Sequence, residues 1–401
     1  MKVLILATDV FTRGGIARYT FTLASSLGRI LGAENVDVLS FFDWGYSGEQ
    51  PCGFRLVGTV SGKTRAGALS RLHFLSKAAT AGFRGYDLVI TNHIALAPIA
   101  AMMKRVFGIP YWVACHSVEI WWGTSRWRHG ALKNAELILP VSQYTGEVVR
   151  KMKGVQNSRV TVLYNAIPDS FAKLLAPEGP LEPTNVPTAK VGKDGPMVLS
   201  VCALVRGNEF KGVDTVIRAL PRVLEDVPKL RYLVVGDGGI RGKLEALASA
   251  TGVAGNVTFT GEIPDAELAE LYRCCDVFAL PSRGQEVRGV VGGEGFGRVY
   301  VEAALAGKPV VGSRSGGASE AVLHGRTGFV VNPDSRDEVA EALLTLLQYP
   351  ELAVRMGSAG RAWALDTFSE DALASSLGEL LRPHGFKSEV VQELVEVGER
   401  I

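Results

Sequence analysis

The sequence predicts an α/β protein made of two doubly wound domains in tandem. Three observations carry this. Its 401 residues suit two domains of about 200 each. Short apolar runs alternate with helical patterns, as expected for a parallel sheet covered on both faces. A proline- and glycine-dense stretch interrupts the alternation once, after which it restarts. Hydrophobic residues at 47% and charged residues at 21% allow large cores, which excludes a disordered chain.

The elements follow in order. VLILA at 3–7 is the first strand; Gly14-Gly15 makes a turn, and IARYTFTLASSLGRIL has apolar residues at helical spacing. The opening MKVLILATDVF has one Lys and no small-residue cleavage site, so it reads as strand and not as a signal peptide. VDVLSFF, YDLVITN, PYWVACH and AELILPVS are further buried strands. Residues 176–196 hold five prolines and three glycines, a density that no helix or central strand survives, and form the interdomain linker. MVLSVCALV, RYLVVGDG, NVTFTGE, DVFALPS, KPVVGS and GFVVNP are then strands, with helices VDTVIRALPRVL, KLEALASAT, DAELAELYRC and VEAALAG between them. The expected domains are 1–185 together with about 372–401, and 186–371. No window reaches about 18 consecutive apolar residues, which excludes a membrane-spanning helix. Cys52, Cys115, Cys202, Cys274 and Cys275 are scattered with no CxxC spacing, pointing to a reduced cytoplasmic protein without structural zinc.

The net charge of +2 hides an asymmetry. Residues 1–190 carry 21 Lys and Arg against 12 acids, and residues 191–401 carry 22 against 29. Between Glu49 and Asp87 there is no acid, but there are Arg55, Lys63, Arg65, Arg71, Lys77 and Arg84. Two readings stand: an anionic partner such as a membrane, or a merely solvated basic face. Nucleic-acid binding has only this stretch in its favour and no recognisable module.

Three motifs carry chemistry. Gly14 and Gly15 let backbone N–H groups at a helix start approach an anion, although a tight turn needs glycine anyway. In GDGGIR, Arg241 stands where a dinucleotide fingerprint has its third glycine, which disfavours a nicotinamide dehydrogenase. Arg206 and Lys211, in VRGNEFKG, lie at the C-terminal edge of the second domain's first strand, where open sheets bind ligands; together they suit a diphosphate. The strongest signal is EGFGRVYVEAALAGKPVV at 294–311, with Glu294 in a loop and Glu302 on the helix that follows. Two carboxylates beside a helix start suit a polyhydroxyl ligand bearing phosphate.

EGFGRVYVEAALAGKPVVGSRSGGASEAVLHGRTGFVVNP resembles the signature of the retaining family 4 glycosyltransferases, or glycosyl transferases group 1. RGNEFKGVDTVIRAL, YLVVGDGG, VTFTGEIPDAELAELYRCCDVFALPS, VSQYTGEVV, VTVLYNAIP and GGIARYTFTLASSL extend it over most of the chain. HSVEIWW and SRGQEVRGVVGGEGFG are most similar to bacterial GDP-mannose-dependent phosphatidylinositol mannoside mannosyltransferases.

The resemblance implies the GT-B fold, two Rossmann-like domains facing a cleft. It implies transfer of a hexose, mannose or glucose, from a nucleoside-diphosphate sugar to a hydroxyl acceptor such as a glycolipid, with retention. Gly14 and Gly15 would offer N–H groups to the donor phosphates, and Arg206 and Lys211 would clamp the diphosphate. Glu302 would hold the ribose, Glu294 the sugar, and Ile263 would meet the base. Phe296, Gly297, Arg298 and Val299 would present main-chain N–H groups, and His116 would face the sugar. Asn165-Ala166-Ile167-Pro168 departs from the family's Asn-Gly-Val-Asp.

No Asp-x-Asp stands at a strand end, so fixed cations are expected in place of a metal, with no cofactor beyond the donor. A sugar-nucleotide epimerase is the alternative of the same architecture. His93 ends a strand and could line the cleft; His73, His129, His324 and His384 read as surface or structural. Trp121, Trp122 and Trp127 read as packing, or as an acceptor or membrane contact. Leu69, Leu72, Phe74 and Leu75 among the 50–86 cations suit shallow docking of a cytoplasmic protein on the anionic inner leaflet. The competing reading packs them on the sheet.

Overall fold

The structure, a computed structural model, describes residues 1–12, 14–43, 53–60, 67–121, 123–176, 195–287 and 290–384. The chain forms two compact units, residues 1–168 with 368–401, and residues 169–367. Each is a doubly wound α/β layer around a six-stranded parallel sheet.

In the first unit β1 (Val3–Ala7), β2 (Val36–Ser40), β3 (Arg55–Gly58), β4 (Leu88–Thr91), β5 (Tyr111–Cys115) and β6 (Leu137–Pro140) take the order β3-β2-β1-β4-β5-β6. The central strands are buried on both faces, which is why they are continuous apolar runs without alternation. β3 is a half-exposed edge strand whose register slips against β2, and no periodicity in the sequence announced it. Helix Glu370–Leu381 packs on helix Gly15–Leu31, tied by Arg29 to Asp371. It belongs to the first unit.

In the second unit β7 (Met197–Val201), β8 (Arg231–Val235), β9 (Val257–Gly261) and β10 (Val277–Ala279) come first. A hairpin, β11 (Gln285–Val287) and β12 (Val290–Gly292), precedes β13 (Val310–Ser313) and β14 (Gly328–Val331). The sheet order is β14-β13-β10-β7-β8-β9, the first unit's order repeated. Crossovers are right-handed. Helices Val213–Asp226 and Arg241–Ala250, reached while the strands step one way, therefore cover one face, where they touch each other. Helices Asp265–Cys274 and Arg298–Leu305, reached while the strands step back, cover the other.

Helix Asp169–Leu175 packs on these last two helices, so the second unit begins at 169, ahead of the linker. The 177–194 part of that linker lies outside the described residues, as do Cys52, Lys63, Arg65 and Trp122. Of the 50–86 apolar set, Leu69 and Leu72 are exposed. Phe74 is not: it is buried in the first core against Phe41, because it faces the sheet side of helix Ala68–Gly82. No described helix is long and apolar enough to cross a membrane.

Candidate active site

Open α/β sheets bind ligands at the carboxyl ends of their strands, and the candidate donor residues lie there, in the loop that follows or in the first turns of the next helix. In the second unit the turn after β7 carries Arg206, exposed and with no hydrogen bond or ion pair among the described residues, and Lys211. Lys211 lies over the Phe210 ring, and its Nζ stands 2.6 Å from Glu294 Oε2. Glu294 also accepts from Ser282 Oγ at 3.3 Å. Its backbone is pinned by the SGG turn, where Gly317 N donates to Glu294 O at 2.7 Å. A Cβ on Gly316 would stand 2.2 Å from that same oxygen, so only glycine fits.

Gly297 opens helix Arg298–Leu305 at φ +86°, and a Cβ there would strike the Tyr300 ring at 2.3 Å. No side chain among the described residues caps this helix start, and a helix N-terminus suits an anion. Phe296 and Arg298 are buried and Val299 is half-buried. Glu302, one turn in, is 4% exposed; it accepts from Tyr272 Oη at 2.9 Å and lies 3.7 Å from Arg298 Nη2. Ile263 is half-buried in the loop after β9. Burial, with Glu294 nearby, pushes the Tyr300 phenol up, so it remains a neutral donor, here to the Leu280 carbonyl at 2.6 Å. Burial also pushes the Cys202 thiol up to about 12, which makes it a poor nucleophile.

The first unit offers a different set. Helix Gly15–Leu31 starts at Gly14 with no side-chain cap and no acid in its first turn. A Cβ on either glycine would meet nothing within 4 Å, so the backbone there borders open space on its Cβ side. His116, at the end of β5, is 7% exposed. Its Nε2 lies 2.7 Å from the Asn92 carbonyl, which can only accept; in the neutral ring Nε2 therefore carries the proton and Nδ1 is the acceptor. Glu119 accepts from the backbone N–H groups of His116 and Ser117 at 2.6 and 3.0 Å, and Tyr19 stands edge-on to the ring at 4.8 Å. His93 lies nearly parallel to His116, with centroids 6.4 Å apart. Its Nδ1 accepts from Ala95 N, and burial outweighs the pull of Glu119 to hold its pKa below the ordinary value.

Tyr272, Ser282, Asn92 and Glu119 were not anticipated. Glu119 had a signal, an acid in the first turn of a helix; Tyr272 had none, being 30 residues from the carboxylate it holds. His129 and His324 make structural bonds, to the Lys153 carbonyl and from Val330 N. Trp121 is buried and Trp127 exposed.

Comparison with known proteins identifies the family. The family model described as Glycosyl transferases group 1 matches residues 187–363, and Glycosyltransferase Family 4 matches residues 13–171. A GDP-mannose-dependent alpha-(1-6)-phosphatidylinositol monomannoside mannosyltransferase of Mycolicibacterium smegmatis is 34% identical over 76% of this chain and 85% of its own. A relative from Corynebacterium glutamicum, named for the monoacylated form of that acceptor, is 30% identical over 72% and 74%. Among solved structures, HepE of Anabaena in complex with UDP and glucose shares the fold at a TM-score of 0.76 and 22% identity, covering 96% of this chain and 100% of that one. These matches favour transfer over the epimerase alternative. With the charged strand-end loops of the second unit and relatives at this level of identity, the chain belongs to the family 4 glycosyltransferases, the glycosyl transferases group 1.

Proposed function

We propose that this glycosyltransferase moves mannose from GDP-mannose, with retention and without a metal, to a lipid-linked acceptor of the phosphatidylinositol mannoside kind. The observation that supports the reading best is the grouping, at one sheet edge, of Lys211 on Glu294, an exposed Arg206 with no hydrogen bond or ion pair among the described residues, and the start of helix Arg298–Leu305 with Glu302 one turn in. The names of the relatives supply the mannose, the guanine nucleotide and the lipid class.

In this reading the C1–O bond to the diphosphate breaks while negative charge gathers on the leaving phosphate. Arg206, Lys211 and the N–H groups of Gly297 to Val299 are oriented donors for that charge. Two carboxylates often mean nucleophile and acid, but Glu302 is held by Tyr272 and Glu294 by Lys211, so both act as acceptors for hydroxyls of the nucleotide ribose and the sugar. The acceptor oxygen forms its bond to C1 on the face the phosphate leaves. Its proton passes to a phosphate oxygen, so charge balances without a protein base. In the first unit, His116 accepts a sugar hydroxyl at Nδ1, and the start of helix Gly15–Leu31 faces a phosphate.

The acceptor side rests on helices Ala68–Gly82, Ala97–Phe107 and Arg126–Asn134, which pack in a row. They and the turn after the first expose Leu69, Leu72, Phe83, Val106 and Trp127, with Arg71, Arg84, Arg105 and Arg126 exposed beside them. Apolar side chains ringed by cations suit shallow docking on an anionic leaflet, with about 1 kcal/mol per basic residue near the surface. Two experiments test the reading. Thermal shift with GDP-, UDP- and ADP-sugars should single out GDP-mannose, and a ligand at 100 times its Kd adds about 2.7 kcal/mol. Co-sedimentation with phosphatidylglycerol vesicles should pellet the protein at low salt only, and Arg71→Glu with Arg84→Glu should release it. Stabilisation by a different nucleotide overturns the donor, and pelleting indifferent to salt and to both substitutions overturns the membrane contact.

A further inference from the structure

The second unit has a cavity of about 480 Å³ on the face of its sheet covered by helices Val213–Asp226 and Arg241–Ala250. This size lies within the range of small-ligand sites. Glu294, Glu302, Ile263 and the start of helix Arg298–Leu305 take no part in its lining; of the donor residues only Lys211 does. Its walls are aliphatic, chiefly Leu204, Val213, Ile240, Leu244 and Leu247, and they include no aromatic ring on which a nucleobase could stack.

The lining also holds four cations, Lys211, Arg218, Lys243 and Arg283, against two carboxylates, Glu209 and Asp214. Both carboxylates are already engaged. Asp214 is 2.6 Å from Arg283, and Glu209 accepts from Gly207 N at 2.6 Å, with backbone N–H groups of its own loop holding it below the usual carboxylate range. Lys211 is taken by Glu294. Arg218 and Lys243 make no hydrogen bond or ion pair among the described residues, and both are exposed. An open aliphatic cavity flanked by two exposed cations, Lys243 drawn only electrostatically toward Glu209, complements one chemistry, an alkyl chain ending in an anion.

We propose that this cavity is a second small-molecule site, for a single-chain anionic amphiphile, separate from the donor half and sharing only Lys211 with it. The chain lies between Val213 and Leu247, and the head group lies between Arg218 and Lys243.

Dodecanoate below its micelle concentration is the probe, titrated calorimetrically into the full chain with and without saturating GDP. Saturable binding is expected, with a Kd unchanged by GDP and no heat from acetate. Arg218→Glu with Lys243→Glu should raise the Kd about 10-fold or more. Ala246→Phe with Ala250→Phe, which fills the cavity from its second helix, should abolish binding while leaving the melting temperature intact. No saturable binding, an unchanged Kd in the filled variant at native melting temperature, or displacement by GDP would each overturn the site, the last by making the cavity part of the donor half. Should GDP fail to bind at all, the donor reading falls, while dodecanoate binding is still read directly.

Discussion

The two sheets repeat one strand order, β3-β2-β1-β4-β5-β6 in one unit and β14-β13-β10-β7-β8-β9 in the other, yet their carboxyl ends present opposite chemistry. The second unit sets out full charges: Arg206, Lys211, Glu294 and Glu302. The first ties its carboxylates, Asp43 and Glu119, to its own backbone N–H groups and sets out beside them a histidine bound to a carbonyl, a second histidine whose pKa burial lowers, and a helix start with no side-chain cap among the described residues. The scaffold thus decides where chemistry is placed and the loops decide which. Under the proposed reading, one of the charges that meets the diphosphate is paired while the site is empty, as Lys211 and Glu294 pair each other.

This contrast can be broken most sharply on the charged side. Lys211→Ala and Glu302→Ala should each lower transfer by about 100-fold or more, the scale of losing one oriented charge-stabilising donor or a buried anchor, with melting temperature retained. Steady-state kinetics beside a thermal melt checks this, and near-native turnover in either variant removes the assignment. Tyr272→Phe sharpens the contrast further. It deletes one hydrogen bond to the buried Glu302 carboxylate, which should raise the donor KM about 10-fold with little change in kcat. A fall in kcat alone would place Tyr272 elsewhere in the reaction.

The neutral side is tested by acid. The folded pKa of His93 lies below its unfolded value, so as pH falls through the unfolded value near 6.5 the unfolded chain takes a proton that the folded chain refuses. Its contribution to stability is complete above that pH and is lost below it. Melting temperature should therefore fall between pH 7 and 5.5, and His93→Gln should flatten that slope; equal slopes would deny the burial. The smallest expected effect is none: activity should persist in EDTA, because Arg206 and Lys211 supply the positive charge. Loss on chelation with rescue by Mg²⁺ or Mn²⁺ would show a metal at work.

Much of this was legible in the sequence because it is local. Most strands of both sheets announce themselves as apolar runs of three to five residues, and Glu294 and Glu302 lie within one loop and the helix after it. What escaped was pairing across distance. Tyr272 reaches Glu302 from a neighbouring helix, and the Asn92 carbonyl sets the His116 tautomer from the adjacent strand's end. Phe74 illustrates a limit of patterning: it stands among cations and exposed leucines, but helical geometry turns it inward. The short, half-exposed β3 gave no alternation to read.

The division of the chain also sets a timetable on the ribosome. Residues 169–367 are contiguous, whereas the first unit closes only when helix Glu370–Leu381 reaches helix Gly15–Leu31. Translation proceeds from the N-terminus, so the first unit emerges first and is completed last. Throughout synthesis of the second unit, the surface later covered by the helix bearing Leu373, Leu377 and Leu381 stays bare. A released fragment ending at residue 367 should therefore hold a finished second unit and a first unit still able to engage a chaperone.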